Sequence, residues 1–164
     1  MNRLFFYIFI CFAASGFSQN NLKSLLKKYN KEQVPYIYVK ELKKQIIQPI
    51  LLDARELSEY NVSHLKNAIY VGYNKFKIEN IQKKIPNKDT KIVVYCSLGI
   101  RSDSIANNLK KAGYNNVENL YGSIFEWKNN NLPVYSAAEK ITDSIHAFSK
   151  AWSKWVKKGV KVYD

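Results

Sequence analysis

The sequence predicts an α/β fold: a parallel sheet with helices on both faces. Three observations predict it. Short aliphatic or β-branched runs at 36–39, 50–53, 69–71, 92–95 and 117–120 alternate with segments of helical periodicity. The run Ile92-Val93-Val94-Tyr95 is apolar without alternation, as a strand covered on both faces must be. Asp53 and Cys96 each stand at the carboxyl end of such a run, where open α/β sheets place their ligands. At 164 residues, 46% hydrophobic and 14% aromatic, the chain has the material for one folded domain with a sizeable core.

At the N-terminus, Asn2 and Arg3 precede the apolar run 4–14, which is too short to span a bilayer comfortably. Small residues follow. A secretory signal peptide over 1–18 is expected, cut between Ser18 and Gln19 or nearer Ser15 or Gly16, with an uncleaved anchor as the alternative. Bulky Ile10 argues against lipoprotein processing at Cys11. The protein is then exported, to the periplasm or beyond. Cleavage leaves Cys96 as the one cysteine, with no partner for a disulfide and no resolving thiol for dithiol exchange. Cysteine and histidine are also too few for a common zinc site, and no metal or other cofactor is expected.

The segment 19–35 carries Leu22, Leu25, Leu26 and Tyr29 at helical spacing and ends at Pro35. A strand at 36–39 follows, then a helix over 40–47 with Leu42, Ile46 and Ile47 inward, closed by Pro49. After the strand ending at Asp53, residues 54–60 form a loop and one or two helical turns. His64 to Ala68 leads into the strand 69–71, and a loop and helix run over 73–84. Beyond the strand 92–95, a helix starts at Ser102 with Ile105, Ala106, Leu109 and Ala112 on one stripe and Gly113 as its stop. A last central strand at 117–120, a turn at Gly122 and a short helix over 124–130 complete the domain, 36–135.

The tail, 136–164, predicts an amphipathic accessory helix. Ser136-Ala137-Ala138-Glu139 has the pattern of a capping box, Ile141, Ile145, Phe148, Trp152 and Trp155 form a stripe, and Gly159 is a stop. It either packs on the domain or lays a Trp/Lys face on an anionic membrane or a protein partner. The formal charge of +13 comes from scattered lysines without a dense block, which argues for a solvated surface and against nucleic acid, with attraction of anions to the Cys96 loop as the sharper reading.

Cys96 is the candidate nucleophile. It sits where a buried strand gives way to a turn, Ser97-Leu98-Gly99-Ile100-Arg101-Ser102, that opens a helix. Backbone N–H groups and a helix N-terminus stabilise negative charge and lower a thiol pKa. His64 is expected in the core or at a hinge and His146 at the surface.

An ordered set of residues then resembles a known family. Leu51-Leu52-Asp53-Ala54-Arg55-Glu56, Glu59-Tyr60, His64-Leu65, Ala68, the Cys96-to-Ser102 loop, Gly122 with Trp127, and Leu132-Pro133-Val134 together resemble a single-domain rhodanese-like protein. The resemblance implies a central parallel sheet of about five strands. It also implies sulfur transfer through a persulfide on Cys96. The persulfide would be held by loop groups from Ser97 to Ser102, fed by a small anionic donor such as thiosulfate or by a persulfide, and relieved by a thiol or cyanide. Asp53 and Arg55 are expected to be a supporting ion pair. Arg101 either holds an anionic donor or clamps the loop. Four residues separate Cys96 from Arg101, whereas cysteine phosphatases use five, and the shorter loop suits a sulfur atom.

This sequence departs from the pattern the resemblance implies at Ser63, in place of a frequent glycine before the histidine, at Ser123, in place of the second glycine of a common pair, and at Ser97. Ser97 stands where active members often carry Arg or Lys, which weakens thiosulfate as the natural donor. The alternative to an enzyme is a binding module that keeps Cys96 as a thiol or persulfide carrier.

Overall fold

The structure, a computed structural model, describes residues 22–30 and 34–164. The leader expected over 1–18 lies outside them. A helix over 22–29, α1, precedes the sheet domain. The domain then runs β1 (Tyr36–Ile37), α2 (Val39–Lys44), β2 (Ile50–Asp53), α3 (Leu57–Val62), β3 (Ile69–Tyr70), α4 (Ile78–Lys84), β4 (Ile92–Tyr95), α5 (Arg101–Lys111), β5 (Val117–Leu120) and α6 (Ser123–Asn129).

The five strands β1 to β5 form one parallel sheet in the order β1-β5-β4-β2-β3. β4 lies at its centre, with all four residues fully buried. Successive side chains of a strand point to opposite faces, and β4 shows the consequence. Val93 and Tyr95 pack with Leu22 and Leu26 of α1, Leu42 of α2 and Ile124 of α6. Ile92 and Val94 pack on the other face, with Ile81 of α4 and Ile105 and Leu109 of α5. Asp53 pairs in register with Tyr95, so the carboxyl ends of β2 and β4 lie side by side and Cys96 emerges between them and β5.

Three local expectations are corrected. α2 stops at Lys44, where Gln45 turns extended and its N–H closes the last turn on the Leu42 carbonyl, and this leaves Ile46 and Ile47 exposed rather than inward. The tail is not an amphipathic helix. It runs as β6 (Val134–Tyr135) paired antiparallel with β7 (Ile141–Thr142), then β8 (Ser144–His146) paired parallel with β9 (Val160–Val162), with a single 3-10 turn at Ser153–Trp155.

The physical reason is local. Glu139 and Phe148 both have positive φ, which interrupts any helix, and β-branched Ile141, Thr142, Val160 and Val162 favour strands. Gly159 makes a close approach instead of capping a helix: a Cβ there would meet the Asp143 carbonyl oxygen at 2.7 Å. The supposed capping box is a turn in which the Glu139 N–H donates to the Ser136 carbonyl. His146, expected at the surface, is buried and bonded to Asp164.

The tail does pack on the domain. Ile145, Ala147 and Val156 join the core on the face of α1 and α6, while Ile141 is 70% exposed. Ile145→Ala should therefore destabilise the protein by about 2–5 kcal/mol and Ile141→Ala by less than about 0.5 kcal/mol, read from urea denaturation midpoints. Equal losses would restore the single-stripe helix.

Candidate active site

The site is built on the turn from β4 into α5. Cys96 is buried, and its Sγ accepts the Gly99 N–H at 3.1 Å, with the Ser102 hydroxyl at 3.5 Å. Gly99 has φ +114°, a conformation that a side chain would strain, and that angle lets its N–H turn back to the sulfur. Burial pushes the Cys96 thiol up. The Arg101 charge, the Ser102 hydroxyl and the Ser102 and Gly99 N–H groups act more strongly together, leaving it below its ordinary value.

Four elements hold the turn in this shape. The Gly99 carbonyl accepts from Asn30 Nδ2 at 2.8 Å and from Asn119 Nδ2 at 2.9 Å. Asn119, within β5, also accepts from the Ser102 hydroxyl at 2.7 Å. The carbonyls of Cys96 and Ser97 accept the N–H groups of Ile124 and Phe125, the exposed donors at the start of α6. Ser123 has φ +50°, a backbone conformation that glycine adopts without strain and a serine does not. Its hydroxyl offsets the strain by accepting the Cys96 N–H at 3.1 Å and donating to the Leu120 carbonyl at 3.1 Å. Ser63 is extended, a conformation open to any residue.

Arg101 clamps the loop. Its Nη1 donates to Glu59 Oε2 at 2.6 Å, and its Nη2 donates to Glu59 Oε1 at 2.7 Å and to Ser97 Oγ at 2.9 Å. The Ser97 hydroxyl in turn donates to Glu59 Oε1 at 2.9 Å. Burial works against the Glu59 carboxylate, but Arg101 outweighs it and Glu59 is held down to about 2. Asp53 and Arg55 form a fully buried bidentate pair, with 2.6 Å between Arg55 Nη2 and Asp53 Oδ2. Arg55 also donates to the Ser63 carbonyl at 2.6 Å. It therefore fixes the base of α3, which carries Glu59, and reaches the Cys96 loop through that helix. His64 is buried, stacked on Tyr60 and bonded to Glu139 Oε1 at 3.0 Å.

A small pocket of about 110 Å³ opens beside Cys96, Ser97 and Arg101. Its remaining wall is Leu98, Ile100, Phe125, Phe148 and Trp152. Phe148 and Trp152 come from the tail, and no sequence signal tied them to the loop. Asn30 and Asn119 were equally silent, one in a polar leading segment and the other inside a strand.

Comparison with known proteins agrees with this geometry. Residues 38–130 match the family described as Rhodanese-like domain. Two curated relatives are named tRNA uridine(34) hydroxylase. One, from Enterobacter sp. (strain 638), is 31% identical over 98 residues, 56% of this chain and 28% of that protein. The other, from Onion yellows phytoplasma (strain OY-M), is 36% identical over 81 residues, 48% of this chain and 26% of that protein. This chain thus spans little more than a quarter of the length of these relatives. Among solved structures, a rhodanese-related protein from Thermoplasma volcanium superposes with TM-score 0.50 at 27% identity, covering 61% of this chain and 96% of that one. A thiosulfate sulfurtransferase from Pseudomonas aeruginosa shares the fold with TM-score 0.59 at 20% identity, covering 85% of this chain and 26% of that one.

The Glu59 pair predicts an acid-side loss of stability. The Glu59 carboxyl lies lower in the folded chain than its ordinary 4.5, so its contribution is complete above that value and disappears as pH falls towards about 2. Between about pH 5 and pH 2 the native protein should lose about 2–3 kcal/mol more than Glu59→Gln, by urea denaturation at each pH. Parallel pH profiles would contradict the pairing.

Proposed function

The chain belongs to the rhodanese-like domain family, and from that premise we propose that it is a sulfurtransferase working through a persulfide on Cys96. One observation carries the reading: Cys96 Sγ receives the Gly99 N–H at 3.1 Å inside a loop closed by Arg101, a setting that favours the thiolate. The thiolate attacks the outer sulfur of a donor. A new S–S bond forms, the donor's own S–S bond breaks, and its electron pair leaves with the departing group, sulfite from thiosulfate or a thiolate from a persulfide. An acceptor thiolate or cyanide then attacks the outer sulfur of the Cys96 persulfide and returns the Cys96 thiolate. Loop donors hold negative charge on the sulfur through both steps.

Arg101 acts here as the loop clamp, because both of its terminal nitrogens are engaged by Glu59 and Ser97. Asp53 and Arg55 act as support beneath α3. Only the shared domain is carried over from the tRNA hydroxylases, since this chain spans so little of their length. The basic residue and apolar run at 3–14 support export as the setting for the reaction.

Treatment with inorganic polysulfide, followed by intact-mass spectrometry, tests the proposal. One sulfur atom should be added at Cys96, removed by cyanide, and absent in Cys96→Ser. A thiol that stays unmodified would overturn the enzyme and leave a binding module.

A further inference from the structure

The pocket beside Cys96 is the wrong shape of charge for a small dianion. Among the described residues, Arg101 is the one cation in its wall, and its charge is matched by Glu59 through two short hydrogen bonds. The Phe148 ring covers the guanidinium, with its centroid 4.9 Å from Cζ. The Ser97 hydroxyl donates inward to Glu59 and not towards the opening. A dianion entering here gives up hydration, and the remaining wall of Leu98, Ile100, Phe125, Phe148 and Trp152 offers apolar surface in return.

That wall is built. Phe148 has φ +65°, an unfavourable backbone for a bulky residue, and strain of this kind persists where surrounding structure enforces it. Its N–H donates to Nδ1 of buried His146 at 3.1 Å, and the Nε2 of that ring is bonded to Asp164 at 3.2 Å. Trp152 meets the Phe148 ring edge-on at 6.4 Å. The 3-10 turn that follows Trp152 is anchored to α6 by Asn129, whose Nδ2 donates to the Trp155 carbonyl at 2.9 Å. The two rings are therefore held over the loop by the whole tail.

We propose that this site takes organic sulfane-sulfur donors whose inner sulfur carries an apolar group, in preference to thiosulfate. The inference rests on the persulfide reading above. For a thiosulfonate the step balances as follows: the Cys96 thiolate bonds to the terminal sulfur of R–SO2–S⁻, the donor S–S bond breaks, and R–SO2⁻ leaves with the bonding pair, giving the Cys96 persulfide anion. The R group lies against Phe148 and Trp152, where burial of apolar surface is favourable. A pocket of about 110 Å³ takes part of an aryl ring, with the rest in the open mouth.

The test compares benzenethiosulfonate, methanethiosulfonate and thiosulfate as donors to the full chain, with cyanide as acceptor. Each kcat/KM is divided by the rate at which the same donor sulfurates a simple thiol, which removes intrinsic reactivity. The two thiosulfonates carry the same charge, so their ratio reads the apolar contact alone. Benzenethiosulfonate should exceed methanethiosulfonate by at least about tenfold, the scale of small apolar discriminations, and both should exceed thiosulfate. Phe148→Ala and Trp152→Ala should each cut the benzene-to-methane ratio at least about threefold, with Phe148→Leu cutting it less and serving where the alanine variant does not fold. A ratio near one, a preference for thiosulfate, or an unchanged ratio in the variants overturns the inference. If inorganic polysulfide loads Cys96 while the donors are not discriminated, the specificity fails alone. If polysulfide leaves Cys96 unmodified, the sulfur-transfer reading fails first.

Discussion

Arg101 and Glu59 meet inside the protein through two hydrogen bonds of 2.6 and 2.7 Å, and the site hangs from that contact. The pair joins α3 to the first residue of α5 and sets the span of the loop between them. It places a positive charge near Cys96 that, together with the Ser102 and Gly99 donors, outweighs the cost of burying a thiolate. It also neutralises that charge as seen from the pocket. A pair this buried stabilises little against an apolar substitute, but breaking it leaves one charge without a partner and costs about 3–5 kcal/mol. The Ser97 hydroxyl fits into the same network, which gives this departure from the family pattern a structural place.

Around the pair, the loop is fixed by groups from distant parts of the chain. Asn30 reaches it from the leading segment, Asn119 from β5, and the start of α6 binds the carbonyls of Cys96 and Ser97. These contacts leave the Gly99 N–H pointing at the sulfur. The central position of β4 makes this convergence possible, because the ends of β2 and β5 flank Cys96 and bring Asp53 and Asn119 to the same edge. The tail adds two aromatic rings to an apolar wall that Leu98, Ile100 and Phe125 begin.

The sheet was legible because its runs are short, rich in aliphatic residues and alternate with segments of helical periodicity, and β4 declared its double-sided burial through the absence of alternation. The Cys96 loop was legible through the run from strand to Gly99 to Arg101. The role of Arg101 was not decided by its position, because Glu59 lies 42 residues earlier and only the fold brings them together. Ser123 looked like a simple replacement of glycine, and its two hydrogen bonds depend on Cys96 and Leu120. The tail misled because Ile141, Ile145, Phe148, Trp152 and Trp155 have helical spacing, whereas the chain turns at Glu139 and Phe148 and buries Ile145 and Ala147 at strand spacing. Periodicity cannot register a positive φ at a residue other than glycine.

Charge and backbone donors around Cys96 lower its thiol pKa despite its burial. The pH dependence of Cys96 alkylation, in the native chain and in an Arg101→Gln, Glu59→Gln double variant that keeps a neutral pair, tests this most directly. The native midpoint should fall below the ordinary cysteine value of about 8.5, and the double variant should move it upward. A native midpoint at or above that value, or one unmoved by removing the Arg101 charge, would mean that the pair and the loop donors do not favour the thiolate.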